Sequence, residues 1–273
     1  MITIELMGGL GNQLFQIFAL INYAIENRTP FYFEEKEIHH GPRTKQYWDT
    51  VLDHAAQFKK PVKSIVQVVR EQQFHYKKLS PFNTNNNTKM IGYFQSYKYF
   101  ELHYENIMKF TGLDKKKELF ETSYDYENIV SLHFRVGDYK HLQEHHPLMS
   151  IEYYEKSLDK IILETCRNDW IILYFCEDED IDYVNERIAI LQDKYKSLTF
   201  IKIDSNYDDW EQMLIMSLCS HNIIANSSFS WWGAYLNTND KLVCYPELWF
   251  GPKQGTKNML DTFPESWNQI NIN

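Results

Sequence analysis

The sequence predicts an α/β protein built on parallel, doubly wound sheets. Three observations carry that expectation. From Ile129 onward, strand and helix patterns alternate, the order that right-handed crossovers turn into a parallel sheet. Residues 170–176 (Trp-Ile-Ile-Leu-Tyr-Phe-Cys) are apolar throughout, as a strand covered on both faces requires. The chain also opens with a strand, a glycine loop and an amphipathic helix.

In order, residues 2–6 alternate and are β-rich, the first strand. Met7-Gly8-Gly9-Leu10-Gly11-Asn12-Gln13 follows, then Leu14, Phe18, Ile21 and Ile25 at helical spacing, a helix to about Glu26. Such a loop lets a ligand approach the backbone closely and points N–H groups at it. It is not a dinucleotide fingerprint, because Leu14 stands where the third glycine would be. Residues 30–33 suggest a second strand. Residues 34–90 mix charge with short apolar runs such as 65–69, and 81–89 form a polar loop. Residues 91–100 (Ile-Gly-Tyr-Phe-Gln-Ser-Tyr-Lys-Tyr-Phe) suggest a strand ending in a polar loop, then a helix to about Phe110. The charged, apolar-poor stretch 111–128 marks the boundary between a domain of residues 1–120 and one of residues 121–273.

The second half reads as strand 129–134, helix 151–165 capped by Ser150, strand 170–176, helix 180–195 and strand 199–203. Asp208 or Asp209 then caps a helix with Trp210, Met213, Leu214 and Leu218 on one face. Strand 223–225, a helix from Phe229 and a closing strand 241–245 complete the unit.

The bulk composition narrows the function classes. The 273 residues carry 28 basic and 37 acidic side chains, a formal charge of −9, which argues against a nucleic-acid backbone or an anionic membrane as partner. No apolar run reaches the roughly 18–20 residues of a transmembrane helix, and the first residues lack a basic leader pattern, so a cytoplasmic protein is expected. Cys166, Cys176, Cys219 and Cys244 are widely spaced in apolar contexts and are expected as reduced, buried thiols. His141, His145 and His146 have no partnering carboxylate spacing and are expected as a solvated loop.

Three loops fall at the carboxyl ends of strands, where open α/β sheets bind ligands. The first is His133-Phe134-Arg135-Val136-Gly137-Asp138, in which Arg135 offers a planar cationic fork suited to phosphate. In the second, Glu177 or Asp178 can accept the N1–H and N2–H donors of guanine. The third, Asn226-Ser227-Ser228-Phe229, opens a helix whose first N–H groups suit an anion. Together they suit a nucleoside diphosphate. Taken singly, each also reads as an ion-paired turn, a solvated acidic helix start or an ordinary cap.

Four blocks carry a family resemblance: Gly8-Gly9-Leu10-Gly11-Asn12-Gln13-Leu14-Phe15-Gln16, Gly92-Tyr93-Phe94-Gln95-Ser96, His133-Phe134-Arg135-Val136-Gly137-Asp138-Tyr139 and Asn226-Ser227-Ser228-Phe229-Ser230-Trp231-Trp232-Gly233-Ala234. In this order they resemble the signature blocks of the α-1,2-fucosyltransferases of glycosyltransferase family 11. The resemblance implies the GT-B architecture, two Rossmann-like domains facing a cleft. It implies an inverting transfer of L-fucose from GDP-β-L-fucose to a galactose-type hydroxyl of a glycan, with no metal or other cofactor. By position it makes Arg135, Asp138 and His133 the catalytic group. Arg135 binds the diphosphate, His133 lines the nucleotide site, Asp138 orients the arginine, and Asp138 or His133 could serve as base. Asp178, Asn226, Ser227, Ser228 and Phe229 complete the donor site. Gly9, Gly11, Asn12 and Gln13 face the fucose and acceptor from the N-terminal, acceptor-side domain. One departure stands out: the second arginine of the family's His-x-Arg-Arg-x-Asp block is Val136 here. That motivates two alternatives, another GDP-sugar donor and a catalytically silent sugar-nucleotide or glycan-binding protein.

Overall fold

A computed structural model describes residues 1–37, 43–79, 86–239 and 241–272. The chain separates into two compact units, Met1–Glu118 with Lys257–Pro264, and Leu119–Thr256 with Glu265–Asn273. The return of Lys257–Pro264 to the first unit is not expected from the sequence. Polar contacts tie it there: Ser96 Oγ donates to the Asp261 carbonyl at 2.6 Å, and Lys98 pairs with the Asp261 carboxylate.

The first unit contains β1 (Ile2–Ile4), α1 (Leu10–Glu26), β2 (Phe33–Glu34), α2 (Asp53–Ala56), β3 (Lys59–Lys60), β4 (Gln67–Arg70), β5 (Thr88–Ile91), α3 (Tyr104–Thr111) and α4 (Leu113–Glu118). All pairings are parallel. A three-stranded sheet in the order β1-β5-β4 is joined by one bridge, Ile2 to Phe31, to the β2-β3 pair. The chain therefore runs from β1 to one side and returns on the other, so strand order reverses between β1 and β5. α1 is buried along nearly its whole length; Leu14, Ile17, Phe18 and Leu20 are fully enclosed. The expected strand at 91–100 ends instead at Ile91. Beyond it Gly92 and Phe94 both take positive φ, 159° and 53°, which no continuing strand allows. Part of the expected loop 81–89, residues 81–85, lies outside the described residues.

The second unit contains β6 (Ile129–His133), α5 (Ile151–Thr165), β7 (Ile171–Phe175), α6 (Ile181–Lys194), β8 (Thr199–Lys202), α7 (Asp209–Met216), β9 (His221–Ile223), α8 (Ser228–Tyr235), β10 (Val243–Pro246) and β11 (Asn268–Ile270). Its six parallel strands lie in the order β11-β10-β9-β6-β7-β8. This is a doubly wound sheet whose order reverses between β6 and β9. The central strands β6 and β7 are buried almost throughout, which explains the unbroken apolar run of β7. α5 starts where Ser150 accepts the Tyr153 amide at 3.3 Å, and α7 starts with a capping box of Asp208 and Glu211. Gly233 lets α8 approach α7, since a Cβ there would stand 2.8 Å from Met216 Cβ. Trp231 and Trp232 fill the space beneath α8, both fully buried.

Three expectations change. β9 begins at His221, two residues early, because its polar Asn222 is a buried hub. Asn222 Nδ2 donates to Ser131 Oγ at 2.7 Å and its Oδ1 accepts from Asn237 at 2.9 Å. β11 extends the sheet past the strand expected to close it. Cys166 is exposed at the C-cap of α5, whereas Cys176, Cys219 and Cys244 are buried and free. Burial pushes the Cys176 thiol up to about 11 and that of Cys244 to about 12. Among the described residues, no helix is long and apolar enough to cross a membrane.

Candidate active site

Strand order reverses between β6 and β9, and the loops leaving their carboxyl ends meet. Side chains alternate past the end of β6 as they do within it. Phe134 and Val136 turn into the core, 2% and 3% exposed, while Arg135 turns the other way. The position of the missing second arginine is thus a core position in this chain.

Arg135 is held on two sides. Its Nη1 donates to Glu177 Oε1 at 2.5 Å, from the loop after β7, and its Nη2 pairs with Asp138. The guanidinium lies over the Tyr139 ring, 4.7 Å from the centroid. Asp180 anchors the turn, accepting the Gly137 amide at 2.6 Å and pairing with Lys140 Nζ at 2.7 Å while its own side chain is 4% exposed. Tyr139 then joins the two loops, donating through its hydroxyl to the Asn226 carbonyl at 3.1 Å. A second bridge is aromatic: His133 packs on Phe229 with ring centroids 5.5 Å apart.

The residues after β9 divide into frame and face. Asn226 is 2% exposed, and its Nδ2 donates to the Pro147 carbonyl at 2.9 Å and to that of Trp249 at 3.3 Å, so it fixes the loop from beneath. Ser227 caps α8 by accepting the Phe229 amide at 3.3 Å. Ser228 and Phe229 are partly exposed at the helix start, where the backbone dipole favours an anion.

Of the residues expected at the catalytic and donor sites, Arg135 pairs with Asp138, and His133 packs on Phe229. Asp178 does not join Arg135. Its carboxylate turns toward β8, pairs with Lys202 Nζ and accepts from Ser205 Oγ at 2.8 Å; those hydrogen bonds hold its pKa below the usual range. Of the two neighbours, Glu177 is the one that pairs with Arg135. Tyr139 and Asp180 were not expected as site residues, although Tyr139 stands inside the quoted block and Asp180 in the acidic run after β7. The histidine loop is less solvated than expected: His146 stacks on Tyr139 at 4.8 Å and His145 meets Gln254 at 3.3 Å.

The glycine loop of the first unit also divides. Gln13 is fully buried, and its Nε2 donates to the Gly8 carbonyl at 2.9 Å and to that of Lys45 at 2.8 Å. It braces the loop rather than facing a ligand, and Gly11 is buried with it. Gly9 and Asn12 remain partly exposed.

Comparison with known proteins identifies the family. The profile of glycosyl transferase family 11 matches residues 1–271, and the chain belongs to that family. It is 26% identical over 297 aligned residues to an alpha-1,2-colitosyltransferase of Escherichia coli, 98% of each chain being covered. It is 24% identical over 300 residues to a galactoside 2-alpha-L-fucosyltransferase of Caenorhabditis elegans, covering 100% of this chain and 79% of that one. A third relative, the O-antigen biosynthesis glycosyltransferase WbnK of E. coli, is 35% identical over 140 residues, a match spanning 50% of this chain and only 44% of that protein's length. Among solved structures, E. coli ADP-heptose lps heptosyltransferase II has a TM-score of 0.50 at 10% identity, covering 98% of this chain and 89% of that one. The architecture is the GT-B one, two α/β units on parallel sheets.

Proposed function

We propose that this protein transfers L-fucose from GDP-β-L-fucose to a galactose-type hydroxyl of a glycan, forming an α-1,2 linkage with inversion and without a metal ion. The observation that carries the reading is the joining of the Arg135 loop to the start of α8, through the Tyr139–Asn226 hydrogen bond and the His133–Phe229 contact, at the point of strand-order reversal in a chain of family 11. The names of the colitosyl- and fucosyltransferase relatives support the linkage and the sugar class.

The chemistry follows from the charges. The acceptor oxygen attacks the anomeric carbon from the face opposite GDP. The new C–O bond forms as the bond to the β-phosphate oxygen breaks, and the hydroxyl proton leaves to a base. Negative charge grows on the departing diphosphate. The fixed positive charge of Arg135 and the N-terminal dipole of α8 stabilise it there. Donor binding satisfies both partners of the ion pair now closed between Arg135 and Glu177: the diphosphate takes the guanidinium and the guanine N1–H and N2–H take the carboxylate. Asp138 stays on Nη2 and keeps the fork in plane. Four free cysteines suit a reducing, cytoplasmic setting.

The test is an assay with GDP-fucose and a β-galactoside, with and without EDTA. GDP release and an α-linked product at unchanged rate in EDTA are expected, and Arg135→Ala is expected to lower turnover by roughly 10²–10³-fold. GDP-colitose is the second donor to try, because the colitosyltransferase relative covers 98% of the chain. No turnover with either donor, in a protein that still binds GDP, would favour a silent binding role.

A further inference from the structure

The first unit has its own point of strand-order reversal, between β1 and β5, which lie side by side with Ile2 to Ile4 opposite Thr88 to Met90. Ligands of open α/β sheets bind beyond such points. Two loops leave the carboxyl ends there, 5–9 and 92–96.

Loop 92–96 is built to turn one aromatic ring in and the next one out. Phe94 is fully buried at φ 53°, a conformation disfavoured for a bulky residue. Tyr93 is thereby left outside, 41% exposed. Glu71, following β4, holds the turn by accepting the Tyr93 amide at 2.8 Å and the Phe94 amide at 3.1 Å. Only glycine fits at position 92, where a Cβ would stand 2.4 Å from Glu71 Cβ.

The next residue ties this loop to the glycine loop. Gln95 Nε2 donates to Asn12 Oδ1 at 2.7 Å, and both side chains are partly exposed. That single bond uses half of each amide. Among the described residues, Asn12 Nδ2 and Gln95 Oε1 make no other hydrogen bond, which leaves a donor on one amide and an acceptor on the other. A hydroxyl both donates and accepts, so it satisfies both atoms. The exposed ring of Tyr93, two residues before Gln95 in the same loop, offers an apolar face for the C–H side of a pyranose. Side-chain amides are uncharged, so the pair suits a neutral, hydroxyl-rich ligand better than a phosphate.

We propose that Tyr93, Gln95 and Asn12 form a pyranose subsite for the acceptor, the ring stacking on the galactoside and the amide pair binding its hydroxyls. The assignment to the acceptor rests on the glycosyl-transfer reading above; binding of a pyranose does not. The experiment is saturation-transfer NMR of methyl β-galactoside on the full chain without donor, together with the acceptor KM. The wild type is expected to give saturation transfer. Tyr93→Ala and Gln95→Ala are expected to weaken binding and raise KM by about tenfold or more, with Tyr93→Phe recovering most of the loss because it keeps the ring. GDP should still raise the melting temperature of each variant, which shows it folded. Absence of saturation transfer to the wild type, or binding and KM within twofold of wild type in both alanine variants, overturns the subsite. A wild type that binds the galactoside through Tyr93 and ignores GDP keeps the subsite and removes the nucleotide reading instead.

Discussion

At the scale of single residues, the donor side turns on which carboxylate of the acidic run after β7 joins Asp138 on Arg135. Glu177 and Asp178 are neighbours of like charge, and nothing in their local sequence separates them. The fold does: Lys202 at the end of β8 and Ser205 beyond it take Asp178, and Glu177 is left to Arg135. Glu177→Gln is therefore expected to lower the preference for GDP over ADP by roughly 10–100-fold, the worth of a charged hydrogen-bond partner. Asp178→Asn is expected to leave that preference within a few-fold. Competition calorimetry checks both; equal losses in the two variants would return Asp178 to the guanine. The same limit explains Gln13. Its place in a glycine-rich motif suggested a ligand contact, but its amide serves two backbone carbonyls in the interior. Residue types marked the loops; which member of each loop faces outward depended on contacts from distant segments. Arg135 and Asp138 were legible because they pair within one turn.

Among the elements, those with strong periodicity or a capping signal stood out in the sequence. α1, α5 and the central strands β6 and β7 lie close to where the pattern puts them, Ser150 caps as expected, and of the two candidates Asp208 and Asp209 it is Asp208 that caps α7. β2 lies at the end of the strand expected at 30–33, whereas β3, with two residues, is too short to leave a pattern. β9 was shifted because a buried Asn222 interrupts its apolar run, and a buried polar network is visible only once its partners are placed. The end of α5 offers a direct test of local reasoning. Cys166 sits there in the left-handed region at φ 50° and ψ 32°, a conformation that glycine adopts without the Cβ penalty. Cys166→Gly is expected to stabilise the protein by about 1 kcal/mol and raise its Tm by roughly 2–4 °C. A fall in Tm on calorimetry would show that the exposed thiol makes a contact worth more than the backbone strain.

For the molecule as a whole, one topological fact is repeated in both units: each parallel sheet reverses its strand order once, and the motif-bearing loops leave the sheet at that reversal. Alternation of strands and helices made the doubly wound class legible. The strand order did not follow from it, because pairing between β6 and β9 joins segments about ninety residues apart in the sequence. Nor did the return of Lys257–Pro264 to the first unit, which depends on Asp261 meeting Ser96 and Lys98. The central claim is that the reversal between β6 and β9 holds a guanosine diphosphate through Arg135. Calorimetric titration of GDP into the wild type and into Arg135→Ala, with matched circular dichroism spectra, tests it most directly. GDP is expected to bind the wild type more tightly than UDP or ADP and to lose at least about tenfold in affinity in the variant. Equal GDP affinity in the two proteins, or no binding to either, would contradict it.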